Sequence, residues 1–528
     1  SACRLVRLPP MIRTRVLPLV LAAVAATAIA GCGGGGGSSA SLAGFATPGS
    51  LIFVEGKLRP SGELKSNADS VAEAIAGESL GDLIVSKLEK SAKDDGEPFD
   101  FAKEVEPWLG EEASVAFTKV EEGNPSDPVV AIETTDAEAT QDFVDARAQQ
   151  GSDPYEDSSY DGIDFKVGGS DENAIGVIDD FLVIAEGKAG FEAAVDASQG
   201  ESLADEAQFS DAISAASDGS LADIYVDLGG LIEASEDGTI DPQALEIFKS
   251  AGIEPSKATV VASVIPGSDQ VLVDISSELG DEEAPSGDAS DLIGSLPADS
   301  FAAVGASGFA GQVREAIDKL DQEGVSGQVP PNQLKDTLKA MGIDLNKIAA
   351  SLEEGAVFAE GRTENSLGGA LVLTSDSDEA AKTVANLGVL LRNTGSPGVT
   401  AVTSNGVSGF SFRSSELGEK PLVVVSKSGR VAIGYGLAPA LAGLNAGSGE
   451  TLSEVASYQA AVSALGGTPI SAFVDGPGAL RLAEALVPHS DTGFKEAKPY
   501  LKNIEYIAAG SAASDGVATS KLIVGLEK

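Results

Sequence analysis

Beyond residue 50 the apolar residues of this chain come in short bursts, each closed by glycine, proline or small polar residues. Bursts of that length, bounded that way, read as strands. The first covers 51–55, and others follow near 113–117 and 129–133. The apolar spacing then lengthens to a helical period from Ala137 to about Ala148, with Thr135 and Glu138 at the spacing of a capping box. A β-hairpin is predicted next, 175–178 against 181–185, turning at Asp179 and Asp180. Short helices lead to a strand at 224–226, and a last hairpin covers 258–275.

The same order then starts again. Strands are predicted near 301–304, 356–359 and 370–374, and a helix from Asp378 to about Leu391. A hairpin at 422–433, a strand near 472–474 and a terminal hairpin ending near Leu526 complete the series. Residues match as well as elements. Gly200-Glu201-Ser202-Leu203 and Phe209 correspond to Gly449-Glu450-Thr451-Leu452 and Tyr458. Leu182-Val183-Ile184 corresponds to Val431-Ala432-Ile433, Tyr225-Val226-Asp227 to Phe473-Val474-Asp475, and Thr134-Thr135-Asp136 to Thr374-Ser375-Asp376. An ordered series at a near-constant separation of about 240–249 residues is the mark of tandem duplication. Hairpin-linked strands followed by helices, without regular βαβ alternation, argue for an α+β fold with a mainly antiparallel sheet and packed helices in each copy. Residues 48–279 and 296–528 are therefore expected to be two homologous repeats. The linker at 280–295 between them opens acidic and is punctuated by Gly280, Pro285 and Gly287.

Ahead of the first repeat the pattern is different. Met11 to Arg15 is a short basic start, 16–30 is an unbroken apolar or small run, and Ile29-Ala30-Gly31-Cys32 closes it. The run falls short of the roughly 20 residues a membrane span needs, and Pro18 sits in its first turn. It reads as a secretory signal ending in a lipoprotein processing box. Met11 is the sensible translation start, and 1–31 is expected to be removed. The Cys32 thiol would then take a diacylglycerol. Gly33 to Gly37 and the serines after them make 32–47 a flexible lipidated tether. The expected location is the outer face of the bacterial cytoplasmic membrane, and the expected partner is that membrane, held through Cys32.

Charge narrows the partners. The 528 residues include 81 acidic and 35 basic side chains, a formal net charge of −46, and removal of the leader takes away four more arginines. Such a surface repels phosphate backbones, so nucleic acid is excluded. It also repels anionic headgroups, so the anchor must be the lipid and not a polybasic patch. Cys3 and Cys32 are the two cysteines, and neither leaves a free thiol, disulfide or thiolate ligand in the mature chain. Stability must come from core burial.

Several segments together resemble a known family. They are the processing box, the opening Pro48-Gly49-Ser50-Leu51-Ile52-Phe53-Val54-Glu55, the segment Glu106-Pro107-Trp108-Leu109-Gly110-Glu111, and the paired strands Tyr225-Val226-Asp227 and Phe473-Val474-Asp475. The chain resembles the bacterial lipoprotein family catalogued as domain of unknown function thirty-three fifty-two, over most of its mature length. The second copy replaces the Pro-Trp-Leu-Gly segment with Ala350-Ser351-Leu352-Glu353. The resemblance implies fold and location and supplies no catalytic residues.

Candidate chemistry is sparse. His489 is the only histidine, and a general base without a partner is a surface residue; zinc held by two or more His or Cys ligands is excluded by composition. Glu233, Ser235, Asp237 and Asp241 around Gly238 follow part of a calcium loop, but Ala244 stands where the bidentate glutamate belongs. Asp241-Pro242 reads better as a helix start. Asp227 and Asp475 end equivalent strands before a turn and a helical stretch, so they read as N-caps and not as a paired active site. Trp108 reads as a packed residue. Gly305-Ala306-Ser307-Gly308 fails the spacing of a nucleophile elbow. No catalytic, metal or cofactor residues are assigned. Three functions stay open: a non-enzymatic binding or scaffold protein, a carrier of a lipid or other hydrophobic ligand, and a carboxylate-dependent hydrolase. A large apolar pocket would favour the carrier, and a cleft with two carboxylates about 5–9 Å apart would favour the hydrolase.

Overall fold

The computed structural model describes residues 42–94, 99–121, 124–149, 155–168, 173–234, 258–278, 288–308, 310–323, 332–340, 343–375, 379–393, 398–404, 406–413, 419–427, 429–488, 491–514 and 517–527. Cys32 with the residues before it, His489 and all of the calcium-loop pattern but Glu233 lie outside the described residues. The chain divides into two compact units that part near residue 282.

Among the described residues the first unit is built on ten strands: β1 (Ile52–Lys57), β2 (Leu109–Glu121), β3 (Asn124–Thr134), β4 (Glu156–Tyr160), β5 (Ile163–Val167), β6 (Asn173–Ile178), β7 (Phe181–Glu186), β8 (Ala222–Asp227), β9 (Thr259–Pro266) and β10 (Gln270–Glu278). They pair antiparallel throughout, in the order β10-β9-β8-β1-β2-β3-β7-β6-β5-β4. Side chains alternate across a strand, and here both faces are covered. Val129 and Ala131 join a core with Phe53, Tyr225 and Phe191 of the helix Gly187–Gln199. Val130 and Ile132 face the other way, onto Trp108, Leu88 of the helix Leu80–Asp94 and Val144 of the helix Ala137–Ala148. Two buried faces explain the unbroken apolar run 129–132.

The second unit holds β11 (Ser300–Ser307), β12 (Leu352–Glu360), β13 (Gly368–Ser375), β14 (Val399–Ser404), β15 (Val407–Phe412), β16 (Leu422–Lys427), β17 (Arg430–Tyr435), β18 (Ile470–Asp475), β19 (Ile504–Ser514) and, from Ser520 on, β20 (Val517–Leu526). Their order is β20-β19-β18-β11-β12-β13-β17-β16-β15-β14, again antiparallel. With β11 put in place of β1 and so on, this is the order of the first unit. Details coincide too. The ladder shifts register between Leu109 and Ala113, and between Leu352 and Gly355. Phe209 meets Tyr225 edge-on at 5.0 Å, and Tyr458 meets Phe473 edge-on at 5.2 Å. The backbone N–H of Ser202 donates to Asp205, and that of Thr451 to Glu454, each opening a short 3-10 helix. The architecture is α+β with a large antiparallel sheet.

One face differs between the units. Val54 and Val115 are partners on β1 and β2, packed under the helices. Their counterparts Val304 and Val357, partners on β11 and β12, are 56% and 50% exposed. Two further expectations need adjusting. The helix Ala137–Ala148 is capped by Asp136, whose carboxylate accepts from Ala139 N–H at 3.0 Å, and not by Thr135. Residues 290–294, within the expected linker, form a short helix with Leu292 and Ile293 buried.

Candidate functional site: an apolar cavity in the first unit

After β1 the chain turns at Leu58-Arg59-Pro60 and lays down three helices before it reaches Trp108. The helix Gly62–Ala76 buries Ala68, Val71 and Ala72, one stripe at helical spacing, and ends on Gly77 in the left-handed conformation at φ 81°. The helix Leu80–Asp94 is held at its start by Asp69, which accepts from Leu80 N–H at 3.1 Å, and it buries Leu88 and Ala92. A single turn, Phe101–Glu104, is capped by Asp100 and tied to the preceding helix by Glu89, which accepts from Phe101 N–H at 3.1 Å.

Trp108 is then fixed from both ends. Its indole N–H donates to the carbonyl of Glu104 at 2.7 Å. Its own carbonyl accepts from Thr135 N–H at 2.8 Å, Thr134 Oγ1 at 2.9 Å and Thr135 Oγ1 at 3.2 Å. The hydroxyl expected to cap a helix holds the tryptophan instead. The ring leans on Phe143 at 5.2 Å, and the Arg147 guanidinium, paired with Glu104 at 2.8 Å, lies over Phe143 and Phe99.

These elements enclose a cavity of about 760 Å³. Its floor is the sheet, at Leu109, Ala113, Ile132 and Leu182; its walls include Ile84, Leu88, Val105 and Trp108. Small-molecule sites span about 300–1,000 Å³ and have mostly apolar linings with a few polar groups. The polar groups here sit at the rim. Asp69 is paired with Lys65 and holds a helix start, and Glu89 holds another. Arg59 Nη2 donates to the carbonyl of Glu106 at 2.5 Å. The depth of the cavity offers apolar surface and no carboxylate. Chemically, the arrangement can shelter a hydrophobic group from water.

Of the candidate residues weighed in the sequence, Trp108 lines the cavity and the other described ones lie elsewhere. Asp227 accepts from Gly230 N–H at 2.9 Å and Asp475 from Gly478 N–H at 2.8 Å, so both cap helices, as read. Trp108 is packed, as read, and 3% exposed; that it also walls a cavity was not legible. The helices covering the cavity carry a stripe at helical spacing that makes them legible in the sequence: Leu64, Ala68, Val71 and Ile75, then Leu80, Ile84 and Leu88. Asp223 is the most buried carboxylate described, at 4% exposure. It accepts from Ser220 at 2.9 Å and from Ser263, and burial pushes its carboxyl above the usual range. Among the described residues no group of three or more His, Cys, Asp or Glu is placed to hold a metal ion. No described helix is long and apolar enough to cross a membrane.

Among solved structures the chain is similar to TP0453 in crystal form III, at 11% identity and a TM-score of 0.25, over 46% of this chain and 80% of that one. Crystal form I of TP0453 gives 9% identity and a TM-score of 0.24, over 46% and 79%. No match is found among curated proteins. Residues 84–526 match the family described as "Protein of unknown function (DUF3352)", and the chain belongs to that family.

Proposed function

We propose that this protein is a membrane-tethered, extracytoplasmic carrier of a hydrophobic ligand, non-enzymatic, and built from two copies of one α+β unit. The observation that carries the reading is the cavity beside Trp108, with an apolar floor and walls and with its charged side chains at the rim. It moves the balance from scaffold to carrier, because a scaffold has no use for a hollow of this size beneath a helical cover. Each methylene taken from water into such a site contributes about 0.8 kcal/mol. A short alkyl chain therefore gains several kcal/mol, against the cost of association. The duplication is supported by the matching strand orders and by the paired caps and rings. The tether reading rests on the processing box at Cys32.

Native mass spectrometry of gently purified protein tests the carrier reading. A co-purifying apolar small molecule is expected, and Ile84→Glu, which puts a carboxylate into the wall, should displace it while the fold persists. Protein that is free of ligand and unresponsive to added amphiphiles would refute it. For the anchor, Cys32→Ser should leave the protein unprocessed or released to the medium. A variant that loses its leader yet stays with membranes would refute the tether.

A further inference from the structure

The rim of the cavity carries a charge pattern that its walls lack. We infer that the ligand is an amphiphile whose polar end bears no net negative charge, and that the site rejects apolar chains ending in a free carboxylate. This rests on the carrier reading above.

Arg59 and Lys65 border the cavity against Asp69, Glu78, Asp82, Glu89 and Glu106. Lys65 is committed to Asp69. Arg59 points one guanidinium nitrogen at the main-chain carbonyl of Glu106, so part of its donor fork is already occupied. Two basic side chains against five acidic ones leave the rim negative. An incoming anion meets like charge beside low-dielectric walls, where repulsion exceeds its value in bulk water. A neutral end avoids this penalty, and a zwitterionic or cationic end can turn its positive group toward Glu78 or Glu106. Apolar walls select for a chain, and the rim selects among chains by excluding one class of headgroup.

Trp108 is the only tryptophan, so its emission reports what occupies the cavity. The whole chain is titrated below micelle concentrations with three ligands that share a palmitoyl chain: monopalmitoylglycerol, palmitoyl lysophosphatidylcholine and palmitate. The first two should bind, with palmitate at least about tenfold weaker at low salt, a gap of about 1.4 kcal/mol. Rising salt should narrow the gap. Glu78→Lys combined with Glu106→Lys should close or reverse it, and circular dichroism of the same variant, matching the native chain, shows that the fold is intact. Palmitate binding as tightly as monopalmitoylglycerol at low salt overturns the inference and leaves the carrier reading standing. No response to any of the three overturns both.

Discussion

Asp223 sits on β8 with hydroxyls on two sides and little water near it, and that setting has a sign that can be measured. Burial raises its carboxyl above 3.8 in the folded chain, with Ser263, Ser220 and Lys57 opposing the shift. A group whose folded pKa is raised gives its full stabilisation below the unfolded value and loses it as pH rises through the folded one. Asn at this position cannot ionise. The stability of Asp223→Asn relative to the native chain should therefore climb as pH goes from below 4 toward neutrality, in paired urea titrations. A flat difference would mean that the carboxyl is not shifted, and a falling one that it is shifted downward. The caps at Asp227 and Asp475 show why residue-scale readings succeeded there. A strand-ending aspartate followed by glycines permits little else, because a Cβ on Gly230 would lie 2.5 Å from Asp227 Oδ2 and one on Gly478 would lie 2.7 Å from Asp475 Oδ2.

The short helix Phe101–Glu104 forms one side of the cavity's frame, and it is held by few bonds. Glu89 accepts its first N–H, and Glu104 at its other end binds Arg147 and the Trp108 indole. Glu89→Ala should loosen this turn without unfolding the unit, so that amide hydrogen exchange quickens over 99–105 and stays unchanged in β3 and β7. Exchange that quickens equally across the sheet would show that Glu89 supports global stability instead. At this scale the sequence was legible where local signals and burial agree. The hairpin turning at Asp179, which takes a positive φ of 51°, lies where it was read, as do the hairpins ending in β10 and β20. The hairpins β4–β5 and β14–β15 were missed. β4 is Glu156-Asp157-Ser158-Ser159-Tyr160, polar up to Tyr160, and it shows no apolar alternation of its own; β5 pairs along its whole length. The cavity itself was illegible for a further reason. Its floor comes from β2, β3 and β7 and its walls from the segment 58–108 and the helix Ala137–Ala148, and no local spacing records that they converge.

As a whole the molecule carries far more acid than base, and family membership, fold class and charge were all readable from one sequence. The −46 charge acts on the compact state as self-repulsion, which salt screens. The thermal midpoint should therefore rise between about 10 mM and 500 mM sodium chloride, with most of the gain below about 150 mM, where the Debye length changes most. A midpoint that falls with salt would mean that surface ion pairs outweigh repulsion. The bare pair Val304–Val357 has a different consequence for a chain built this way. Two units share one strand order, yet one buries this valine pair under helices and the other leaves it exposed. Any condition that strips the repulsion, such as acid or high salt, removes what keeps neighbouring molecules from meeting at those valines. Colloidal stability and conformational stability should thus part company, and salt that firms each fold should also bring the onset of clumping nearer.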